Sequence, residues 1–137
     1  VSFTLEAASG VSRILEFDHL EHRVLLLFVS ADCHGCDDLL RGPREPTAFG
    51  LTSADEVLLV TRSSEMPGTR AEEEIWFSPE AFGALRVSGA PFFCLLDPSF
   101  DTVATEGVVW GLDSIRDAVA RVLAGAPEVD VPRLEMP

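Results

Sequence analysis

The sequence predicts an α/β domain with a central mixed β-sheet flanked by helices, and three observations carry that expectation. Val24-Leu25-Leu26-Leu27-Phe28-Val29 is an apolar run without alternation, the pattern of a strand covered on both faces. A second such run, Val57 to Val60, follows after a helix-compatible segment, so strand, helix and strand come in the order of a right-handed βαβ unit with a parallel pair. A third run, Phe92 to Leu96, is broken by Asp97-Pro98, and Thr102 to Val109 reads as its antiparallel partner.

The remaining elements fit around that sheet. Ser2 to Glu6 alternates polar and apolar residues, Ser9-Gly10 turns, and Val11 to Phe17 alternates less cleanly, which predicts a short N-terminal edge hairpin. Ser30-Ala31-Asp32 forms a loop after the first buried strand, and Cys33 to Arg41 carries helical spacing until Gly42-Pro43 stops it. Thr69 to Trp76 is acidic and reads as helix, and Ser78-Pro79-Glu80 starts another helix that runs through Ala81 to Leu85. Leu112, Ile115, Val119, Val122 and Leu123 recur at helical spacing, with Gly125 after the last turn. The domain is expected to span residues 1–125, followed by a Pro-rich tail over residues 126–137.

Composition narrows the function classes. The chain has 137 residues, one domain's worth, and 47% of them are apolar, enough for a sizeable core. Its net charge is −13 and nothing concentrates its basic residues, so counterion release would oppose binding to nucleic acid, which is excluded as a partner. There is no Lys, Asn, Gln or Tyr, which removes Schiff-base chemistry, a Walker lysine and N-glycosylation. No apolar stretch approaches the roughly 18 to 20 residues needed to cross a bilayer. The compartment is open, with extracytoplasmic placement, through an N-terminal signal or anchor ahead of Val1, favoured over cytoplasmic.

The chemistry concentrates at Cys33-His34-Gly35-Cys36. An odd cysteine count, 3, does not make a secreted disulfide framework, whereas the C-x-x-C pair reads as a redox or a metal pair. Residues i and i+3 in a first helical turn have Cα atoms near the roughly 5.5 Å of an unstrained disulfide, so Cys33 and Cys36 can close and open a bond with little backbone movement. The helix amino end favours the thiolate of Cys33, making it the nucleophile, and Cys36, turned inward, becomes the resolving thiol. His34, when protonated, lowers the Cys33 pKa, while Asp32, Asp37 and Asp38 oppose ionisation, so the sequence sets no reduction potential. A metal would need further ligands, for which Cys94, His19, His22 and His34 are candidates. No second C-x-x-C or H-x-x-x-H spacing completes such a site, and no metal or other cofactor is expected. Cys94 sits in an apolar strand and reads as a small hydrophobe; His19 and His22 read as solvated; Trp76, Phe77, Phe82, Phe92, Phe93 and Trp110 read as core or groove wall.

The string Val24 to Cys36, followed 55 residues after Cys36 by Pro91 within Val87-Ser88-Gly89-Ala90-Pro91-Phe92-Phe93, resembles the thioredoxin superfamily. The N-terminal Phe3-Thr4-Leu5 strand and the longer middle segment make the chain more similar to its TlpA-like branch, including MauD-type proteins, than to thioredoxin itself. The resemblance, over about Phe3 to Leu123, implies a thioredoxin-like fold and a thiol-disulfide oxidoreductase that exchanges electrons with a protein thiol or disulfide client and with a further redox partner, in a direction the sequence leaves open. It also implies that Pro91 is a cis-proline facing the cysteines and that Ala90 and Pro91 line the substrate groove. Three positions differ from the family pattern: Leu27 stands where thioredoxin proper often has a buried acid, Asp32 replaces the tryptophan before the motif, and Gly42-Pro43 with Pro46 interrupts the helix. These differences motivate the alternative of a thioredoxin-like module for protein binding or metal handling with little turnover.

Overall fold

The computed structural model of the protein describes residues 2–7, 9–30, 34–62, 75–99 and 103–125. The first two strands, β1 (Ser2–Ala7) and β2 (Ser12–Glu16), form the expected N-terminal hairpin, with Phe3 opposite Leu15 and Leu5 opposite Arg13. The uninterrupted apolar run is β3 (Val24–Val29), and every one of its residues is buried. It pairs in parallel with β4 (Glu56–Thr61) on one side and antiparallel with β6 (Phe92–Leu96) on the other. Strand β5 (Ile75–Phe77) lies parallel to β4 and touches β1 at Glu6 and Ala7, and β7 (Val103–Val108) lies antiparallel to β6. The sheet is therefore seven-stranded and mixed, in the order β2-β1-β5-β4-β3-β6-β7.

One expected element is different. The segment Thr69 to Trp76 reads as helix from its local sequence; residues 63–74 lie outside those described, and Ile75 and Trp76 are in β5. Ile75 pairs with Leu59 and Trp76 with both Val60 and Ala7, so this strand splices the N-terminal hairpin to the main sheet. Such long-range pairing overrides local propensity. The tail, residues 126–137, also lies outside the described residues.

Side chains alternate across the sheet and build a core on each face. Leu25, Leu27 and Val29 face α1 (Asp37–Arg41), a 3-10 turn at Pro46–Phe49 and α3 (Leu112–Leu123), packing with Leu39, Phe49, Ile115 and Val119. Val24, Leu26 and Phe28 face α2 (Pro79–Ala84) and the hairpin, with Phe82 edge-on to Phe28 at 4.8 Å. Full burial of a side chain such as Leu27 stabilises by roughly 1.5 to 3 kcal/mol, which is why β3 is the centre of the sheet.

Helix α2 begins on a dual-purpose serine. Ser78 Oγ accepts from the Ala81 N–H as an N-cap and donates to the Thr4 carbonyl at 2.6 Å, and the Thr4 N–H donates to Glu80 Oε1 at 2.8 Å. Side chains of the first turn thus satisfy the stretch of β1 that β5 is too short to reach. Helix α1 stops where expected: a Cβ on Gly42 would collide with the Asp38 carbonyl. Arg44 then folds back so that its guanidinium donates to the Leu39, Leu40 and Gly42 carbonyls, closing the helix end.

At the other end of the central strands, Arg13 donates two bonds of 2.9 Å to the Glu56 carboxylate. His22 departs from its expected solvated state: its Nε2 lies 2.9 Å from Glu56 Oε1, whereas His19 is exposed. The Arg13 hydrogen bonds, reinforced by His22 and opposed by partial burial, lower the Glu56 pKa from 4.5 to about 2. A carboxyl depressed in the folded state adds stability above its unfolded pKa and loses it as pH falls through the folded value. The Glu56 contribution is therefore complete above about pH 5 and disappears between about pH 4.5 and 2. Acid unfolding followed by circular dichroism is expected to be flatter over that window for Glu56→Gln than for the parent; curves of equal slope would remove this assignment.

Candidate active site

Strand β3 delivers the chain to the C-x-x-C motif, and the residues on its far side are folded into a 3-10 turn, His34–Cys36, that leads directly into α1. Asp32 and Cys33 lie outside the described residues, as does the His34 side chain. Cys36 is disulfide-bonded and has no exposed surface. It packs in the apolar cluster that holds Leu27, Val29 and Leu39, so the inward orientation expected of the second cysteine is present.

The Ala90–Pro91 peptide is cis and precedes β6, whose first residue, Phe92, pairs with Phe28 near the end of β3. That register brings Pro91 to the same end of the sheet as the motif. The contact is close: a Cβ built on Gly35 would lie 3.2 Å from Pro91 Cγ and 3.4 Å from its Cδ. Ala90 packs against the Cys36 cluster, and the Pro91 carbonyl accepts from the Val109 N–H at 3.2 Å. Gly35, Cys36, Ala90 and Pro91 are thus gathered from two chain segments that are far apart in sequence. Glycine fits because any side chain at position 35 meets the Pro91 ring. Gly35→Val is expected to slow exchange with a protein disulfide by roughly fivefold or more while changing the rate with a small disulfide less than twofold, since small displacements at a reacting centre carry large kinetic effects. Equal slowing of both, measured with insulin and with oxidised glutathione, would count against a groove at this contact.

Cys94 belongs to the opposite face. It is paired with Leu26, fully buried, and packed with Phe82, Leu96 and the hairpin residues, so the sheet separates it from Cys36. Its thiol donates to Glu106 Oε1 at 3.5 Å on the neighbouring strand. Burial first, and then the adjacent carboxylate, push the thiol far above its ordinary range, which leaves it protonated and inert at neutral pH. The apolar strand foretells the burial; the carboxylate partner was not legible, because β7 shows no alternation that would face Glu106 toward Cys94.

Trp76 is buried at 6% exposure with the Arg13 guanidinium 5.9 Å from its ring, as a core residue should be. Trp110 is different: its indole is 86% exposed on the connection from β7 to α3, one residue beyond the Val109 N–H that binds Pro91. It is neither core nor buried wall, and its position after Val108-Val109, at the end of a strand and ahead of a helix start, is the one sequence signal that could have set it apart. Among the described residues, no group of three or more His, Cys, Asp or Glu is placed to hold a metal ion. No helix among them is long and apolar enough to cross a membrane.

No protein-family model and no curated protein matches the chain. Solved structures do. A candidate thiol:disulfide interchange protein, DsbE, from Chlorobium tepidum superposes with a TM-score of 0.65 at 19% identity, covering 92% of this chain and 93% of that one. StoA from Bacillus subtilis gives 0.60 at 10% identity, covering 87% and 96%. Yeast Sco1 with copper bound gives 0.62 at 14% identity, covering 95% and 91%. A mixed sheet with β3 at its centre, a helix entered through a C-x-x-C turn, and these neighbours along nearly the whole length together establish that the chain has a thioredoxin-like fold.

Proposed function

We propose that the protein is a thiol-disulfide oxidoreductase acting on a protein client through Cys33 and Cys36. The observation that carries this reading is the packing of Pro91 on Gly35, inside the motif, with a buried and disulfide-bonded Cys36 beside it. Of the 3 cysteines, Cys94 is free, buried and held protonated on the far face, so Cys33 is the partner assigned to Cys36 and the sulfur assigned to attack.

In the reducing direction, the Cys33 thiolate attacks one sulfur of the client disulfide, forming a mixed disulfide and releasing the other client sulfur as a thiolate that takes up a proton. Cys36 then loses its proton and attacks the Cys33 sulfur, closing Cys33–Cys36 and freeing the second client thiol. Two electrons pass from the dithiol to the client, and an external dithiol restores the pair. Ala90 and Pro91 present the client backbone, and His34 and Asp32 act in opposite senses on the Cys33 thiolate. The neighbour described as a thiol:disulfide interchange protein, DsbE, supports this reading.

The Cys36→Ser variant tests it. This variant is expected to accumulate a covalent adduct with oxidised insulin through Cys33, visible on a non-reducing gel, because the resolving step is gone. Absence of an adduct in Cys36→Ser, or its persistence in Cys33→Ser, would overturn the assignment. The copper-bound Sco1 neighbour supports one other reading, metal handling by the same pair. Tight Cu(I) binding by the reduced protein, lost in Cys33→Ser, combined with no insulin adduct, would favour it.

A further inference from the structure

Resting on the oxidoreductase reading, we infer that Trp110 is a specificity-determining residue that selects client segments carrying a bulky apolar side chain and Arg or Lys next to the reactive disulfide. The Val109 N–H to Pro91 carbonyl bond of 3.2 Å continues the β6–β7 register, in which Phe92 faces Val108, and leaves Trp110 one residue past the backbone bonded to Pro91. The backbone of Trp110 is fixed from its other side too: its N–H donates to Ser114 Oγ at 3.2 Å, and that hydroxyl donates to the Gly111 carbonyl at 2.7 Å. A backbone held at both ends therefore presents an indole at 86% exposure, with Val108 at 48% exposure beside it on the edge strand. A rigidly mounted, solvated tryptophan is the side chain best suited to anchor a partner, because much apolar area is covered with little entropy lost.

Charge identifies the occupant. Asp37 and Asp38 are exposed immediately after Cys36. Among the described cations, Arg116 is bound by Asp113 at 2.7 Å and by the Ala48 carbonyl, Arg62 donates to the Val87 carbonyl and lies over the Phe82 ring, and Arg41, one turn along α1, offsets one of the two aspartates. With a net charge of −13 behind this rim, an acidic client segment is repelled and a basic one attracted.

The test uses bridged peptides of identical composition in which one Leu and two Arg stand either next to the disulfide or at the far terminus, so that overall charge is constant. Their reduction by the full chain is followed with dithiothreitol as the electron source, at about 20 mM and about 500 mM salt. The adjacent arrangement is expected to react about fivefold faster or more at low salt, and Trp110→Ala is expected to abolish the part of that advantage that persists at high salt. Asp37→Asn with Asp38→Asn is expected to abolish the salt-sensitive part of the advantage, as high salt does for the parent. Equal rates for the two arrangements would overturn the inference while leaving the redox reading intact, whereas no reduction of any peptide would overturn both. A Trp110-dependent dimer in sedimentation would show that a second copy covers the indole, and would also overturn it.

Discussion

Replacing Cys33 with serine is expected to bring dithiothreitol-driven insulin reduction down to the rate of dithiothreitol alone, a loss on the order of 10³-fold or more. Serine cannot form a disulfide, and neither remaining sulfur can substitute. Cys36 has no exposed surface, and Cys94 lies beneath the opposite face with its proton held by burial and by Glu106. Cys94→Ala is the matched control: it leaves a small gap in an apolar cluster and is expected to keep the rate within about twofold while lowering stability by about 1 kcal/mol. Turnover retained in Cys33→Ser, or lost in Cys94→Ala while the fold persists, would show that the reactive sulfur has been misassigned.

Arg23→Met is expected to destabilise the fold by about 3 kcal/mol or more without touching the chemistry. Arg23 stands just before β3, and its Nε donates to Asp97 Oδ2 at 2.7 Å while its Nη1 lies 3.5 Å from Asp55 Oδ2. Both carboxylates are almost fully buried, Asp55 at 7% and Asp97 at 4% exposure. Burial alone would raise the Asp55 pKa, but bonds from the Thr52 and Arg23 N–H groups and the Thr52 hydroxyl, with the Arg23 charge, hold it below its ordinary value. Methionine keeps the volume and removes the charge, leaving two buried carboxylates without their cation. The Asp55 share of the loss arises at neutral pH and fades as pH falls through the carboxylate range. This cluster ties the beginnings of β3 and β4 to the end of β6, about 20 Å along the strands from Cys36. Urea unfolding should therefore shift to lower midpoint while the labelling pattern of the cysteines stays unchanged; an unshifted midpoint would mean that the cluster is structurally idle.

The parts of this molecule that were legible in the sequence are those set by local pattern and by burial. β3 could be read because six consecutive apolar residues have only one stable placement, between two covered faces. α2 could be read from Ser78-Pro79-Glu80, where the cap and first turn are chemically specified. β5 could not, because Ile75-Trp76-Phe77 is too short to carry a period and becomes a strand only through Val60, Leu59 and Ala7. At the candidate site, Cys36 and Pro91 were legible as residue types, and Gly35 and Trp110 were not. A glycine announces no neighbour, and the exposure of an indole depends on which strand ends beside it. His22 shows the same limit: a residue in an acidic turn reads as solvated until β4 brings Glu56 within 2.9 Å.

Equilibration with glutathione at graded ratios of reduced to oxidised form, followed by acid quenching, alkylation and peptide mapping, tests the central assignment most directly. Cys33 and Cys36 are expected to lose and gain alkylation together in one two-electron transition, with Cys94 free at every ratio. A bridge containing Cys94, or a Cys33–Cys36 pair that fails to respond to the glutathione ratio, would contradict the account.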